Sequence, residues 1–335
     1  MEMIIQNTSK EYGELVDAVG VLLEEARKKV YSQINQVLVQ TYWEIGKRIV
    51  EYEQKGKEKA EYGNKLLDRL SNDLKLRSGK GFSRRNILDM RRFYLQYNNW
   101  QTVSAKLGWS HYTLILSVSD GLARSFYEKQ CVKENWSVRE LKRQINSMLF
   151  ERIALSKDKE GVLELSKEGH TIRKADDLIK DPYVLEFLKI PENHKYSEKE
   201  LEQKIIDNLQ KFLLELGKGF TFVARQFRIT LGNKHYFVDL VFYHRILKCF
   251  VLIDLKIGKV DHGDIGQINM YLNYFKAEEM TIGDNKPIGI ILSADKDHLL
   301  VKYAIGGMSN KLFVSKYKLY LPSKEELEQE VERLL

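Results

Sequence analysis

Asp239, Asp254 and Lys256 lie in one stretch, His235 to Val260, that reads HYFVDLVFYHRILKCFVLIDLKIGKV. Two carboxylates offer hard oxygen ligands to a divalent cation, and an ammonium beside them can orient a water or meet developing charge. The runs flanking Arg245 are rich in Val, Ile, Phe and Tyr, which is the pattern of a β-hairpin. Side chains alternate along a strand, so Asp254 and Lys256 share a face. If Tyr243 pairs with Phe250 across a loop from Arg245 to Lys248, Asp239 falls opposite Asp254 and all three charges share that face. Placing them among apolar strands costs free energy unless something binds there. A D-x-K triplet alone is weak, since acids and lysines alternate on many solvated sheet faces.

The elements around this hairpin must position it. Ser197 with Glu200 forms a capping box ahead of a helix, LEQKIIDNLQKFLLEL, that stops at Gly217. Next come the strand-like FTFVARQFRITLG, the hairpin, a helix from about Ile265 to Phe275 and a strand PIGIILS. Helix, strands, helix, strand is the order of a mixed α/β domain, a sheet flanked by helices. Upstream no proline precedes Pro182, which leaves the first half free to be helical. Apolar residues there recur at helical spacing, as in Val30, Ile34, Val37, Leu38 and Thr41, or Leu66, Leu67, Leu70 and Leu74. Ser83 reads as an N-cap for RRNILDMRRFYLQY, and Ser137 with Glu140 as a capping box for SVRELKRQINSMLFERI. Short helices with tight turns suggest an all-α bundle, with a helix-turn-helix as one option. The expected division is a helical domain over 1–155, a connecting region over 156–196 and an α/β domain over 197–335.

At 335 residues with 43% hydrophobic content, the chain can build two cores. Its net charge of +7 is unevenly placed: from Ser71 to Arg152 there are 15 Lys or Arg against 7 Asp or Glu. A basic block in the same chain as a carboxylate site points to a polyanionic partner, nucleic acid first. Arg84, Arg85, Arg91 and Arg92 are its candidate contacts. Arg84 and Arg85 open a helix, where cations oppose the helix dipole unless they face an anion; an ordinary charged face with Asp89 is the plainer reading. Cys131 and Cys249 give neither a disulfide framework nor metal-ligand spacing. The start lacks the pattern of a signal peptide, and no run of about 18 apolar residues occurs, so no membrane partner and a cytoplasmic location are expected. No G-x-G-x-x-G or Walker lysine is present, and Ser/His/Asp catalysis has no anchor. The four tryptophans, Trp43, Trp100, Trp109 and Trp136, read as core anchors, and His244 as either a substrate contact or a structural residue.

Asp239 followed by Asp254-Leu255-Lys256 resembles the PD-(D/E)XK nuclease superfamily. Gln267 and Tyr271, in GQINMYL, match the Q-x-x-x-Y helix of several of its branches and lie one turn apart on one helix face. Glu202 sits where the superfamily's first helix often supplies a further acid, and it shares a face with Ile205, Ile206, Leu209 and Leu213. More specifically, the chain is similar to the YhcG-type family of PD-(D/E)XK nuclease-domain proteins, through GFSRRNILDMRRFY, NWSVRELKRQINSMLFERI, LIKDPYVLEFL, FLLELGKGFTFVARQFR, FVDLVFYHRILKCFVLIDLKIGK, GQINMYL and PIGIIL. One departure is that Val238, not proline, precedes Asp239.

That resemblance implies a Mg²⁺-dependent endonuclease, Mn²⁺ being an alternative ion, with Asp239, Asp254 and the Leu255 carbonyl as ligands. It gives Lys256 to the water, Gln267 to the lysine or phosphate, and Tyr271 to its support. Glu202 stays open between a site acid and a solvated charge. DNA is expected ahead of RNA, and two other readings remain: a nucleic-acid-binding or scaffold protein that kept the fold, and an RNA-directed nuclease. Oligomeric state is open, a homo-oligomer included.

Overall fold

The computed structural model describes residues 2–55, 60–191, 195–295, 298–321 and 323–332. The chain divides into two compact units, Met1–Arg124 with Cys131–Leu141, and Ser125–Gln130 with Lys142–Leu335.

The first unit is helical. Its elements are α1 (Glu2–Lys55), α2 (Ala60–Ser78), α3 (Arg84–Gln96) and α4 (Trp109–Ile115), followed by α5 (Gly121–Glu134) and α6 (Val138–Asn146), which the division cuts. Where short helices are expected, α1 is a single helix of 54 residues. The Ser83 hydroxyl caps α3 by accepting from Asn86 N, and Ser137 and Glu140 form their reciprocal cap before α6. Aromatic packing forms the middle: Phe93 and Tyr112 are fully buried, with ring centroids 4.7 Å apart. Trp43 donates to the Tyr97 carbonyl and Trp109 to Asn86, so the indole N–H groups are satisfied as buried tryptophans require.

The second unit holds α7 (Leu149–Ala154), α8 (Lys159–Glu168), β1 (Tyr183–Val184), α9 (Glu198–Asp207), α10 (Leu209–Leu216), β2 (Phe220–Leu231), β3 (Lys234–His244), β4 (Cys249–Lys259), α11 (His262–Tyr274), β5 (Ile288–Asp295), α12 (His298–Ile305), β6 (Lys311–Lys318) and α13 (Lys324–Glu332). The strand order is β1-β6-β5-β4-β3-β2, antiparallel from β2 to β4 and parallel from β4 to β1. The hairpin has the expected register, with Tyr243 opposite Phe250 and the loop at Arg245 to Lys248. Alternation splits β4 between two cores. Val251, Ile253 and Leu255 pack with Leu201, Ile205 and Phe212 on one side, and Leu252 packs with Ile268 and Leu272 on the other. The sheet is thus sandwiched between helical layers, as a mixed α/β sheet must be to bury both faces.

Two expected helices are broken. Asn208 interrupts α9 and α10, its side-chain amide donating to the Lys204 carbonyl, the local bonding that makes Asn a poor interior helix residue. Met148, at φ +53°, separates α6 from α7. Within the stretch 156–196, expected to connect, Val184 pairs with Lys318 of β6, and Leu178, Tyr183 and Leu185 enter the sheet's core.

Candidate active site

The β3–β4 ladder runs to Leu240 opposite Ile253, and Asp239 and Asp254 are the next positions along it. There the Asp239 side chain stands in for a strand partner: its Oδ2 accepts the Leu255 N–H at 2.8 Å. A strand residue's N–H and C=O point to the same side, so the Leu255 carbonyl also faces the gap beside Asp239. Asp254, two residues beyond Leu252, emerges from the α11 core and is 4% exposed. Its Oδ2 lies 3.2 Å from Lys256 Nζ but makes no well-aligned hydrogen bond. Lys256 Nζ also lies 3.3 Å from Asp264. The structure therefore brings Asp239, Asp254, Leu255 and Lys256 together.

Glu202 comes to this group from α9 and is buried. Its Oε2 accepts Gln226 Nε2 at 2.6 Å, and the same Nε2 donates to Asp239 Oδ1 at 3.0 Å. Its Oε1 is 3.1 Å from Arg225 Nε. Gln226 sits in β2 at φ +47°, a left-handed conformation that is strained for a residue with a Cβ. On α11, Gln267 Nε2 donates to the Tyr271 hydroxyl at 2.6 Å, and Tyr271 is fully buried. Burial first, then Asp254 and Asp239, raise the affinity of the Tyr271 phenol for its proton, against Gln267 and Lys256.

Charge in this site is unbalanced toward the acids. Burial and the neighbouring Asp239 push Asp254 up to about 7, against the pull of Lys256. Asp239 is raised as well, by burial first and by Glu202, with the Leu255 N–H and Gln226 acting the other way. Burial disfavours the charged Lys256 ammonium, but Asp254, Glu198 and Asp264 outweigh it and hold the proton on. Carboxylates that are desolvated and repel one another are relieved by a cation. Among the described residues no three His, Cys, Asp or Glu side chains converge on one metal position. Two carboxylates and a backbone carbonyl are the all-oxygen donors that Mg²⁺ or Mn²⁺ takes alongside water, and the unbonded Asp254 Oδ2 is free to join them. The residues present fit such an ion.

Three participants escape sequence reasoning. Asp264 was legible in principle, since Asp261 and Asp264 form a capping box that fixes the start of α11. Gln226 and Arg225 carry no signal, because only the strained turn of β2 aims them at the acids. His244 lies at the far end of the hairpin, fully buried, with Nε2 bonded to the Lys218 carbonyl and Nδ1 accepting Leu247 N–H. Its role is structural, and Gly219 packs against its ring so closely that a Cβ there would meet Nε2 at 2.6 Å.

In the first unit the four arginines of α3 differ. Arg85 and Arg92 are exposed, Arg92 lying 3.8 Å from Asp89, and Arg84 pairs with Asp68 at 2.7 Å. Arg91 is half-buried, its Nε bonded to both Glu53 oxygens at 3.0 and 2.8 Å, which ties α3 to α1. No described helix is long and apolar enough to cross a membrane.

Comparison with known proteins bears on both units. Residues 18–152 match the DUF1016 N-terminal domain, and residues 176–332 match the YhcG PDDEXK nuclease domain. A protein of Escherichia coli (strain K12) named "Putative nuclease YhcG" is 39% identical over 365 residues, covering 99% of this chain and 97% of its own. Among solved structures, a repair endonuclease from Pyrococcus abyssi is 20% identical over 39% of this chain and 50% of its own, at a TM-score of 0.28. An EndoMS–dsDNA complex is 16% identical over 40% and 51%, at a TM-score of 0.26. This chain spans about half the length of those two structures. With 39% identity along nearly its whole length and a nuclease-domain match that covers the sheet and its acids, the chain belongs to the YhcG family of PD-(D/E)XK nuclease-domain proteins.

Proposed function

We propose that this protein hydrolyses phosphodiester bonds of nucleic acid, DNA ahead of RNA, at the site formed by Asp239, Asp254 and Lys256. The observation that carries the reading is a buried Asp254 oxygen left without a hydrogen bond, 3.2 Å from a lysine held protonated. Asp239, Asp254 and the Leu255 carbonyl would hold Mg²⁺ or Mn²⁺. Such an ion, when bound, supplies charge neutralisation at the phosphate and a more acidic water.

The chain's own residues do the rest. Lys256 has three N–H donors, two of them near Asp254 and Asp264, which leaves one for a water or a phosphate oxygen. Because its proton is held on, it orients and neutralises rather than abstracts. Gln267, held by its bond to Tyr271, would serve the lysine or the phosphate. Gln226 sets the spacing of Glu202 and Asp239. Upstream, α2 and α3 form a helix pair joined through Gly79 and Gly81, which we take as a helix-turn-helix type surface whose Arg84, Arg85 and Arg92 meet phosphates. Arg91, committed to Glu53, supports that surface instead.

Purified protein offered plasmid DNA and single-stranded RNA with Mg²⁺ should cut DNA, lose the activity with chelator, and lose it in Lys256→Ala. Full activity in Lys256→Ala would contradict the assignment. No cleavage of any substrate by the natural protein would favour a binding or scaffold role, and cleavage of RNA alone would reverse the order of substrates. Duplex affinity should also fall steeply with salt, and removing Arg85 and Arg92 should flatten the slope by roughly 0.9 per lost phosphate contact. An unchanged slope would move the binding surface off α3.

A further inference from the structure

From Tyr12 on, where burial along α1 is described, only the C-terminal part of the helix is packed, with Val39, Trp43, Ile49 and Val50 buried. Between Tyr12 and Leu38 the helix carries twelve large apolar side chains that are 40% to 70% exposed. Exposed apolar surface on this scale marks an interface. Leu15, Val19, Leu23, Ala26, Val30 and Ile34 step by four, four, three, four and four. That is an eleven-residue repeat, about 3.67 residues per turn, which keeps the stripe on one face of a nearly straight helix.

The stripe has an internal symmetry. Inverted about the point between Ala26 and Arg27, Leu15 falls on Leu38, Val16 on Val37, Val19 on Ile34, Leu22 on Tyr31 and Leu23 on Val30. Two of the exposed apolar residues depart from it, Val21 falling on Ser32 and Tyr12 on Thr41. The same inversion sets Glu24 on Lys29 and Glu25 on Lys28. A parallel pair in register would instead set Glu24 and Glu25 against their own copies. Glu24 also meets Arg27 of its own helix at 3.0 Å, an exposed pair that competes only weakly.

A two-fold interface requires that residue i meet j and j meet i, a condition this palindrome satisfies and an unrelated partner would not impose. We propose that α1 is a dimerisation helix, pairing antiparallel with a second copy of this chain through residues 12–41 about an axis at Ala26 and Arg27. The pairing length is about 45 Å at about 1.5 Å per residue. The twelve exposed apolar residues with Glu24, Glu25, Lys28 and Lys29 come near the roughly 20–30 residues a side of a stable interface. Each dimer then carries two copies of the acid-lysine site.

Sedimentation equilibrium of the full chain at micromolar concentration should give twice 39.3 kDa. Val19→Asp with Ile34→Asp should give a monomer that keeps its helical signal and cooperative melting, because both positions are exposed within one chain. Glu24→Lys with Glu25→Lys should weaken the dimer at least tenfold, and adding Lys28→Glu with Lys29→Glu should restore it. Both natural cysteines are buried, so an added thiol can be followed alone. A chain with Leu15→Cys should cross-link to a chain with Leu38→Cys and not to its own kind. A monomer at every concentration, Leu15→Cys linking to itself, or no rescue by the second charge reversal would overturn the proposal. None of these readouts depends on nuclease activity, so this pairing and the proposed chemistry fail separately.

Discussion

Two of the places where the second unit buries charge, around Glu215 and around Asp254, are treated in opposite ways. Around Glu215 every side-chain oxygen is used: Oε1 accepts from Arg152 at 2.5 Å and from Val184 N at 3.0 Å, and Oε2 from Arg143 at 3.2 Å. Arg152, fully buried, also donates to the Ser147 carbonyl and hydroxyl and to the Pro182 carbonyl. Burial would raise the Glu215 carboxyl, but Arg152, Lys180 and Arg143 hold it down at about 2. At Asp254 the same burial meets a second carboxylate and one lysine, and the group rises to about 7 with an oxygen unbonded. A carboxylate with both oxygens bonded locks β1, α7 and α10 together, even though Arg143 Nη1 beside it stays unbonded. An unsaturated one is poised for a ligand.

Opposite responses to neutralising one acid would sharpen this contrast, and similar ones would break it. Glu215→Gln strands Arg152 and should cost about 3–5 kcal/mol of stability, the loss typical of breaking a buried pair. Asp254→Asn, without added metal, should leave stability unchanged or higher while abolishing cleavage. The pH dependences also differ in sign. Glu215 is depressed from 4.5, so its contribution is present above that value and is lost as pH falls toward about 2. Asp254 is raised from 3.8, so its contribution is present below that value and is lost as pH rises through about 7. Chemical denaturation of the metal-free protein across this range should show a decline toward neutral pH that Asp254→Asn removes. A decline of equal size in Asp254→Asn would show that another group causes it.

A smaller effect tests the strain beside the acids. Gln226→Gly and Gln226→Ala both delete the amide that joins Glu202 to Asp239, but only glycine relieves the left-handed backbone. The glycine variant should be the more stable by about 1 kcal/mol, while both lose about tenfold in cleavage. Equal stabilities would mean the backbone relaxes without glycine. Undiminished cleavage in both would remove Gln226 from the site.

Much of this was legible because it rests on short-range rules. Alternation along β4 fixes the face shared by Asp254 and Lys256, the length of the hairpin loop sets Asp239 beside them, and capping boxes fix the starts of α6 and α9. The alternation of β3 itself breaks at Asp239, where Val238 and Val241 enter the same core. Gln267 and Tyr271 follow from a one-turn spacing. What lay hidden depends on long-range closure. Gln226 reaches both acids only because β2 turns left-handed there, and Arg91 is taken by Glu53 of α1, far away in sequence. At one end of the sheet, β1 is short and its neighbour β6 is mixed in pattern, and tertiary pairing overrides their weak local signal. The unbroken length of α1 is hidden for a related reason. Its exposed stripe has no partner within the described chain, so no local cap or turn marks it.

Thermal unfolding with and without Mn²⁺, in the natural protein and in Asp254→Asn, tests most directly that the unsaturated acids await a cation. Binding to the folded state alone raises stability by about 2.7 kcal/mol at a hundredfold excess over Kd. The account predicts a clear rise in Tm with metal for the natural protein and none for Asp254→Asn. Equal rises in both proteins, or none in either, would contradict it.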